Sequence, residues 1–174
     1  MITIRQAVAE DVLQLVDLFS LCFGFLDNSM FNIDHNHYFV AVSDNRIVAV
    51  SGIVFPYDEF NEYASGYEIS WTCTRSDFRR KGLASSLVER VLDIRENKDV
   101  PVYCSCLRVC QDDINLRSVM DCFGFRCLYK GKKHIVFPYH SACFVCVNYG
   151  GQGCECFEDV YKSAAGKPTI LMVG

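Results

Sequence analysis

The chain has 174 residues, enough for one domain with a real core, and its 51% hydrophobic and 22% charged residues exclude an intrinsically disordered chain. The net charge of −4 argues against a nucleic-acid partner, which selects basic surfaces, and suits a cationic or amine-bearing one. No apolar run reaches the ~20 residues of a membrane span, and the start Met1-Ile-Thr-Ile-Arg-Gln lacks the basic and apolar regions of a signal peptide. No membrane association is therefore expected, and the cytoplasm is the expected compartment. Eleven cysteines are in that setting reduced, buried or metal-bound rather than a disulfide framework.

In chain order, residues 2–5 alternate as a short strand. Val12, Leu15, Val16, Phe19 and Cys22 recur at helical spacing behind Glu10 and Asp11. Residues 23–36 mix Gly, Asp, Asn and aromatics and read as a loop. Strands are expected over 38–43 and 46–55, with Asp44-Asn45 as a two-residue hairpin turn. An acidic loop with Asp58, Glu59 and Glu62 follows. Residues 66–74 alternate, which predicts Tyr67, Ile69, Trp71 and Cys73 on one face and Glu68, Ser70, Thr72 and Thr74 on the other.

After a basic loop, Leu83, Ala84, Leu87, Val88, Val91 and Leu92 mark an amphipathic helix. A strand over 102–109 follows Pro101, then a short helix over 112–122 ending at Gly124. Residues 125–130 and 133–139 read as a strand pair around Gly131. Residues 157–165 read as a short helix and 169–173 as a short strand. The order indicates a mixed α/β, or α+β, sheet domain over 1–140. A Cys-rich extension over 141–174 is expected to pack on the same domain.

The chemistry concentrates at 72–85, where a strand passes through Arg79, Arg80, Lys81 and Gly82 into a helix. A helix start presents unpaired N–H groups and the positive end of the dipole, and glycine admits a close ligand. A pyrophosphate site and a solvated basic helix start both fit.

Arg79-x-x-Gly82-x-Ala84 resembles the acetyl-CoA signature of the GNAT superfamily of N-acetyltransferases, with Phe78 where that family often has Tyr or Phe. The element order up to residue 139 follows the same family. The resemblance implies a GNAT fold: a central, mostly antiparallel sheet with a splayed parallel strand pair and flanking helices. It also implies acetyl-CoA as co-substrate and acetyl transfer to a primary amine of a small molecule or peptide. The backbone of Thr72, Cys73 and Thr74 would pair with the pantetheine amides. The N–H groups of Arg79, Arg80, Lys81, Gly82, Leu83, Ala84 and Ser85 would cradle the pyrophosphate. Asn115 and the Gly124-Phe125 pair resemble a second family segment in which the Asn positions the cofactor. In this copy Ser118 replaces Ala, and Asn115 lies closer to Gly124 than is usual. The helix carries no Tyr to protonate the leaving thiolate; Cys122 stands near its end as a substitute acid or as a packing thiol.

Amine acetylation needs a base. Glu68 resembles the strand glutamate that serves several members of the family; its other reading is a solvated strand residue. A backbone N–H of the same strand would stabilise the oxyanion. Asp27, Asp34, His35, His37, Asp58, Glu59 and Glu62 are candidate substrate-wall residues, with Tyr57 and Phe60 as aromatic neighbours. Cys143, Cys146, Cys154 and Cys156 form two close pairs that could hold zinc tetrahedrally, against packing thiols as the other reading. A non-catalytic acyl-CoA-binding module is the alternative to an enzyme. A homodimer is allowed, and nothing in the sequence sets the oligomeric state.

Overall fold

The computed structural model describes residues 1–23, 37–54, 66–108, 116–133 and 157–163. The strands are β1 (Ile2–Gln6), β2 (Tyr38–Ser43), β3 (Arg46–Val54), β4 (Tyr67–Thr74), β5 (Val102–Arg108), β6 (Arg126–Lys133) and β7 (Phe157–Lys162). The helices are α1 (Val12–Phe23), α2 (Leu83–Asp93) and α3 (Arg117–Cys122). The strands form one sheet in the order β1-β2-β3-β4-β5-β7-β6. Every pairing is antiparallel except β4 with β5.

The β2–β3 turn forms at Asp44-Asn45, where both φ angles are positive, 50° and 60°. Asp and Asn tolerate that region, and it matches the right-handed strand twist. The side chains of β2 and β3 divide between two cores, and an extra β3 residue at Val48 puts Val48 and Ala49 on the same side. Val40, Ile47 and Val50 pack with Leu15, Leu18 and Phe19 of α1. Ala41, Val48 and Ala49 pack with Leu83 and Leu87 of α2. The two helices therefore cover opposite faces. Val88, Val91 and Leu92 continue the α2 contact onto Ile53, Tyr67, Ile69, Val102 and Cys104.

The helix α3 ends in a Schellman motif at Gly124, whose φ is 71°. The Gly124 N–H donates to the Asp121 carbonyl at 3.0 Å, and the Phe125 N–H donates to the Met120 carbonyl at 3.0 Å. Met120 and Phe125 are both buried in the core, which supplies the hydrophobic contact of that motif.

Three sequence expectations are corrected. Residues 157–162 form a strand, not a helix, inserted between β5 and β6, with Asp159, Val160 and Tyr161 buried. Gly131 lies inside β6 rather than at a turn, because β6 pairs with β7 instead of with the residues that follow it. The alternation expected over 66–74 breaks in the middle of β4. Between Val50 and Gly52 of β3 the partner residues run from Cys73 back to Ser70, so β4 carries an extra residue. Trp71 sits at the bulge with φ 51°. Tyr67 and Ile69 thus face α2, while Trp71 and Cys73 pack against the α1 cluster.

Candidate functional site

The strands β4 and β5 share only the pairs Tyr67–Val102, Glu68–Tyr103 and Ile69–Cys104. Beyond them β4 runs on to Thr74 and β5 to Arg108, the latter still paired with β7. The parallel pair therefore opens into a wedge whose β4 wall begins at Ser70 and holds the bulge. A bulky residue at positive φ is strained and persists only where the surroundings impose it. Ser70 adds a second irregularity. Its Oγ is the one buried side-chain polar atom without a hydrogen-bond partner among the described residues. Such an atom costs stability that a ligand, or removal of the hydroxyl, recovers.

At the far end of β4, Arg75 fixes the exit of the strand. Its N–H donates to the Val48 carbonyl at 2.9 Å. Its Nε donates to the Ile47 carbonyl at 3.0 Å, and its guanidinium pairs with Asp17 of α1 at 2.6 Å. Arg75 is buried and Asp17 exposed, so one side chain ties the loop to both β3 and α1.

The loop then makes a short helical turn over Ser76–Phe78. Arg79 donates through Nε to the Thr74 carbonyl at 3.1 Å. Lys81 donates to the Asp77 carbonyl at 2.9 Å and lies 4.6 Å above the Phe78 ring. Arg80 is exposed, with φ 59°. Gly82 is the N-cap of α2 at φ 75°, and no side chain caps the helix. The Ser86 N–H reaches the Gly82 carbonyl at 3.0 Å, which closes the first helical turn. The N–H groups of Leu83, Ala84 and Ser85 precede that bond and have no intrahelical partner. A β-carbon placed on Gly82 would meet nothing within 4 Å. The space above the helix start is open, three cationic residues precede it in the loop, and the chain conformation there calls for glycine. These features fit the phosphates of a nucleotide-like ligand.

Glu68 is partly buried on β4, two residues before the wedge and on the same face as Ser70. Cys122 is exposed on α3. His37 immediately precedes β2. Asn115, the other substrate-wall candidates and the four tail cysteines lie outside the described residues. Among the described residues no three His, Cys, Asp or Glu side chains gather as a metal site.

The sequence reading missed Arg75 and a pair of thiols. Cys22, in the last turn of α1, and Cys73 of β4 both pack against the core that α1 makes with the sheet. Interaction with Cys73, helped by the charges of Arg79 and Arg75, lowers the Cys22 thiol to about 7. Burial, and the neighbouring Cys22, push Cys73 well above the ordinary thiol value. No local sequence signal marks either pairing, because each joins segments far apart in the chain.

The acetyltransferase (GNAT) family model matches residues 10–125, two thirds of the chain. No curated protein sequence matches. Among solved structures, a GNAT-family acetyltransferase from Bacillus cereus superposes with a TM-score of 0.62 at 16% identity, covering 94% of this chain and 97% of that one. An acetyltransferase-like protein from Pyrococcus horikoshii gives 0.54 at 15% identity, over 74% of this chain. N-acetylglutamate synthase from Neisseria gonorrhoeae, complexed with coenzyme A and L-arginine, gives 0.55 at 14% identity, also over 74% of this chain. The chain spans 44% of the Pyrococcus protein and 28% of the Neisseria one. At these identities the likeness is one of fold. With the family match spanning the wedge and the loop into α2, the chain belongs to the acetyltransferase (GNAT) family of acyltransferases.

Proposed function

We propose that the chain transfers an acetyl group from acetyl-CoA to a primary amine on a small molecule or peptide. The observation that carries this reading is the uncapped start of α2, with Gly82 at φ 75° and open space above it, beside the β4–β5 wedge. The backbone of Arg79 to Ser85 holds the pyrophosphate, and Arg79, Arg80 and Lys81 add charge attraction. Beyond Ile69 the edge of β4 is no longer paired with β5. Its Thr72, Cys73 and Thr74 backbone groups serve the pantetheine amides, and an N–H of the same edge faces the carbonyl oxygen that gains charge.

When bound, acetyl-CoA supplies the activated thioester. Glu68 accepts the proton of the incoming amine, directly or through one water. Asn115 orients the cofactor arm, and the exposed Cys122 thiol is the proton donor to the departing thiolate. The six cysteines of the described residues that are free thiols, Cys22, Cys73, Cys104, Cys106, Cys122 and Cys127, suit the reducing cytoplasm.

Thermal melting with acetyl-CoA, followed by thiol release on addition of a primary-amine panel, tests the proposal. A ligand selective for the folded state stabilises it by about 2.7 kcal/mol at a hundredfold excess over Kd. A shift together with amine-dependent thiol release is expected. A shift without turnover would leave an acyl-CoA-binding module. Absence of both would overturn the proposal.

A further inference from the structure

Ser70 stands where the sheet parts. It is the first β4 residue beyond the pair Ile69–Cys104, and it lies opposite Gly52 of β3. Directly paired residues of adjacent strands share a face. Gly52 in turn lies opposite Tyr38 of β2. A β-carbon on Gly52 would come within 2.6 Å of the Tyr38 ring, so that ring covers Gly52 on the α1 side of the sheet. Tyr38, Gly52 and Ser70 therefore form a row across three strands, and Ser70 ends the row at the opening of the wedge. Ile69 and Cys104 face the other way, into the α2 core.

Glu68 lies two residues before Ser70, so both side chains leave β4 on the α1 face. The rings of Tyr38 and Trp71 on this face pack on Phe19 of α1, with centroids 6.1 and 5.3 Å from it. In that setting the Ser70 Oγ is buried and has no hydrogen-bond partner among the described residues. Ser51 on β3 shows the contrast: its hydroxyl is buried too, but it is bonded to Thr72 at 2.7 Å. A buried orphan hydroxyl costs stability unless a group from outside meets it. Ser70 as a residue is only half-buried, so a turn about χ1 carries Oγ toward its open side. In the acetyl-transfer reading, the cofactor arm runs along the backbone edge of β4, in the plane of the sheet. Strand side chains stand perpendicular to that plane. The Ser70 hydroxyl is therefore off the path of the arm and on the side of Glu68, where the acceptor brings its nitrogen.

We propose that the Ser70 Oγ accepts a hydrogen bond from the attacking amine and makes the site selective for primary over secondary amines, a role that rests on the acetyl-transfer reading. A neutral primary amine carries two N–H groups and one lone pair. The lone pair must stay free to form the N–C bond, so Oγ accepts an N–H and donates nothing to the nitrogen. As the N–C bond forms, the nitrogen gains positive charge and one N–H proton passes to Glu68. The C–S bond breaks with its electron pair on the departing thiolate. The second N–H stays on nitrogen, held by Ser70, and becomes the amide N–H of the product. Its hydrogen bond strengthens during the step because the donor becomes cationic. A secondary amine has a single N–H, which goes to Glu68 and leaves the Ser70 hydroxyl without a partner.

The test compares Ser70→Ala with wild type on one primary amine and its N-methyl analogue, reading thiol release at saturating acetyl-CoA. For the primary amine, kcat/KM should fall roughly tenfold to hundredfold, the range for a lost hydrogen bond to a charged group. For the N-methyl analogue, variant and wild type should agree, so the preference for the primary amine collapses in the variant. The acetyl-CoA thermal shift should be unchanged. Without ligand the variant should melt no lower than wild type, because the fold loses no bond. Equal losses on both amines would mean a distorted wedge, and a smaller acetyl-CoA shift would put Ser70 on the cofactor arm; either result overturns the assignment. A variant that melts well below wild type would show that the fold itself holds the hydroxyl, with the same consequence. If wild type turns over and Ser70→Ala matches it on both amines, the Ser70 role alone is lost. If wild type shows no amine-dependent thiol release, the acetyl-transfer reading falls and takes the Ser70 role with it.

Discussion

The hydroxyls of Ser51 and Thr72 stand 2.7 Å apart, joining β3 to β4 at the bulge. Ser51 is fully buried, so each hydroxyl is the other's replacement for water. A buried hydrogen bond of this kind contributes on the order of 1 kcal/mol net, while an orphaned partner costs about 1–3 kcal/mol. Ser51→Ala and Thr72→Val should each destabilise the fold, and the double variant should lose less than the two combined. Urea denaturation of the four proteins measures this, with an expected coupling of about 0.5–1.5 kcal/mol. Additive effects would mean that the bond does not pin the bulge.

At Gly82 conformation and space make separate demands. The φ of 75° disfavours any side chain, yet a β-carbon would touch no protein atom. Gly82→Ala should therefore fold, with a loss of about 1–2 kcal/mol from left-handed strain. Gly82→Glu adds a negative charge where the phosphates are proposed to lie, and it should also erase the acetyl-CoA thermal shift. A Gly82→Glu protein that keeps the full shift would move the pyrophosphate away from the start of α2.

How legible the molecule was in its sequence depends on the range of the interaction. The Asp44-Asn45 turn is set by the φ preferences of two adjacent residues. The α2 face is set by a period: of the residues its spacing marks, Leu83, Leu87, Val88, Val91 and Leu92 are buried and Ala84 is half-buried. The basic loop at Arg79–Gly82 was legible for the same local reason. The Trp71 bulge was not, because it exists only in the register of β4 against β3. Residues 157–162 were misread because Glu158, Asp159 and Lys162 give no clean alternation. Pairing on both sides, with β5 and β6, makes them a strand, and tertiary context overrides propensity in such central strands. Cys22 and Cys73 meet only once α1 has been laid across the sheet.

The Cys22 thiol should titrate in the neutral range. Its pKa of about 7 reflects first its interaction with Cys73, against the upward push of burial, and then the arginine charges. The folded value lies below the ordinary thiol value, so the reactive thiolate accumulates as pH rises and is half formed near pH 7. Iodoacetamide alkylation of Cys22, followed by peptide mapping from pH 5 to 9, should show that midpoint. Cys73→Ala removes the leading cause and should move the midpoint upward. A Cys22 midpoint near that of an unfolded thiol would show that neither Cys73 nor the arginines act on it in solution.

Glu68 gives the sharpest test of catalysis, because its proposed role concerns a proton and not a shape. It lies opposite Val54 and Tyr103, one pair before the last, Ile69–Cys104, after which β4 and β5 part. Glu68→Gln retains size and hydrogen-bonding groups but cannot accept the amine's proton. The acetyl-CoA thermal shift should stay within experimental error of wild type, while kcat falls by roughly 10²–10⁴, the usual contribution of a general base. As pH rises toward the pKa of the amine, more acceptor arrives neutral and the base has less to do. The defect should therefore shrink with pH, whereas a distorted wedge would lower the rate by a constant factor. A pH-rate profile of wild type and variant, taken at saturating acetyl-CoA with one acceptor, separates the two. Equal turnover near neutral pH would remove Glu68 from the mechanism and leave deprotonation to solvent or to a group outside β4.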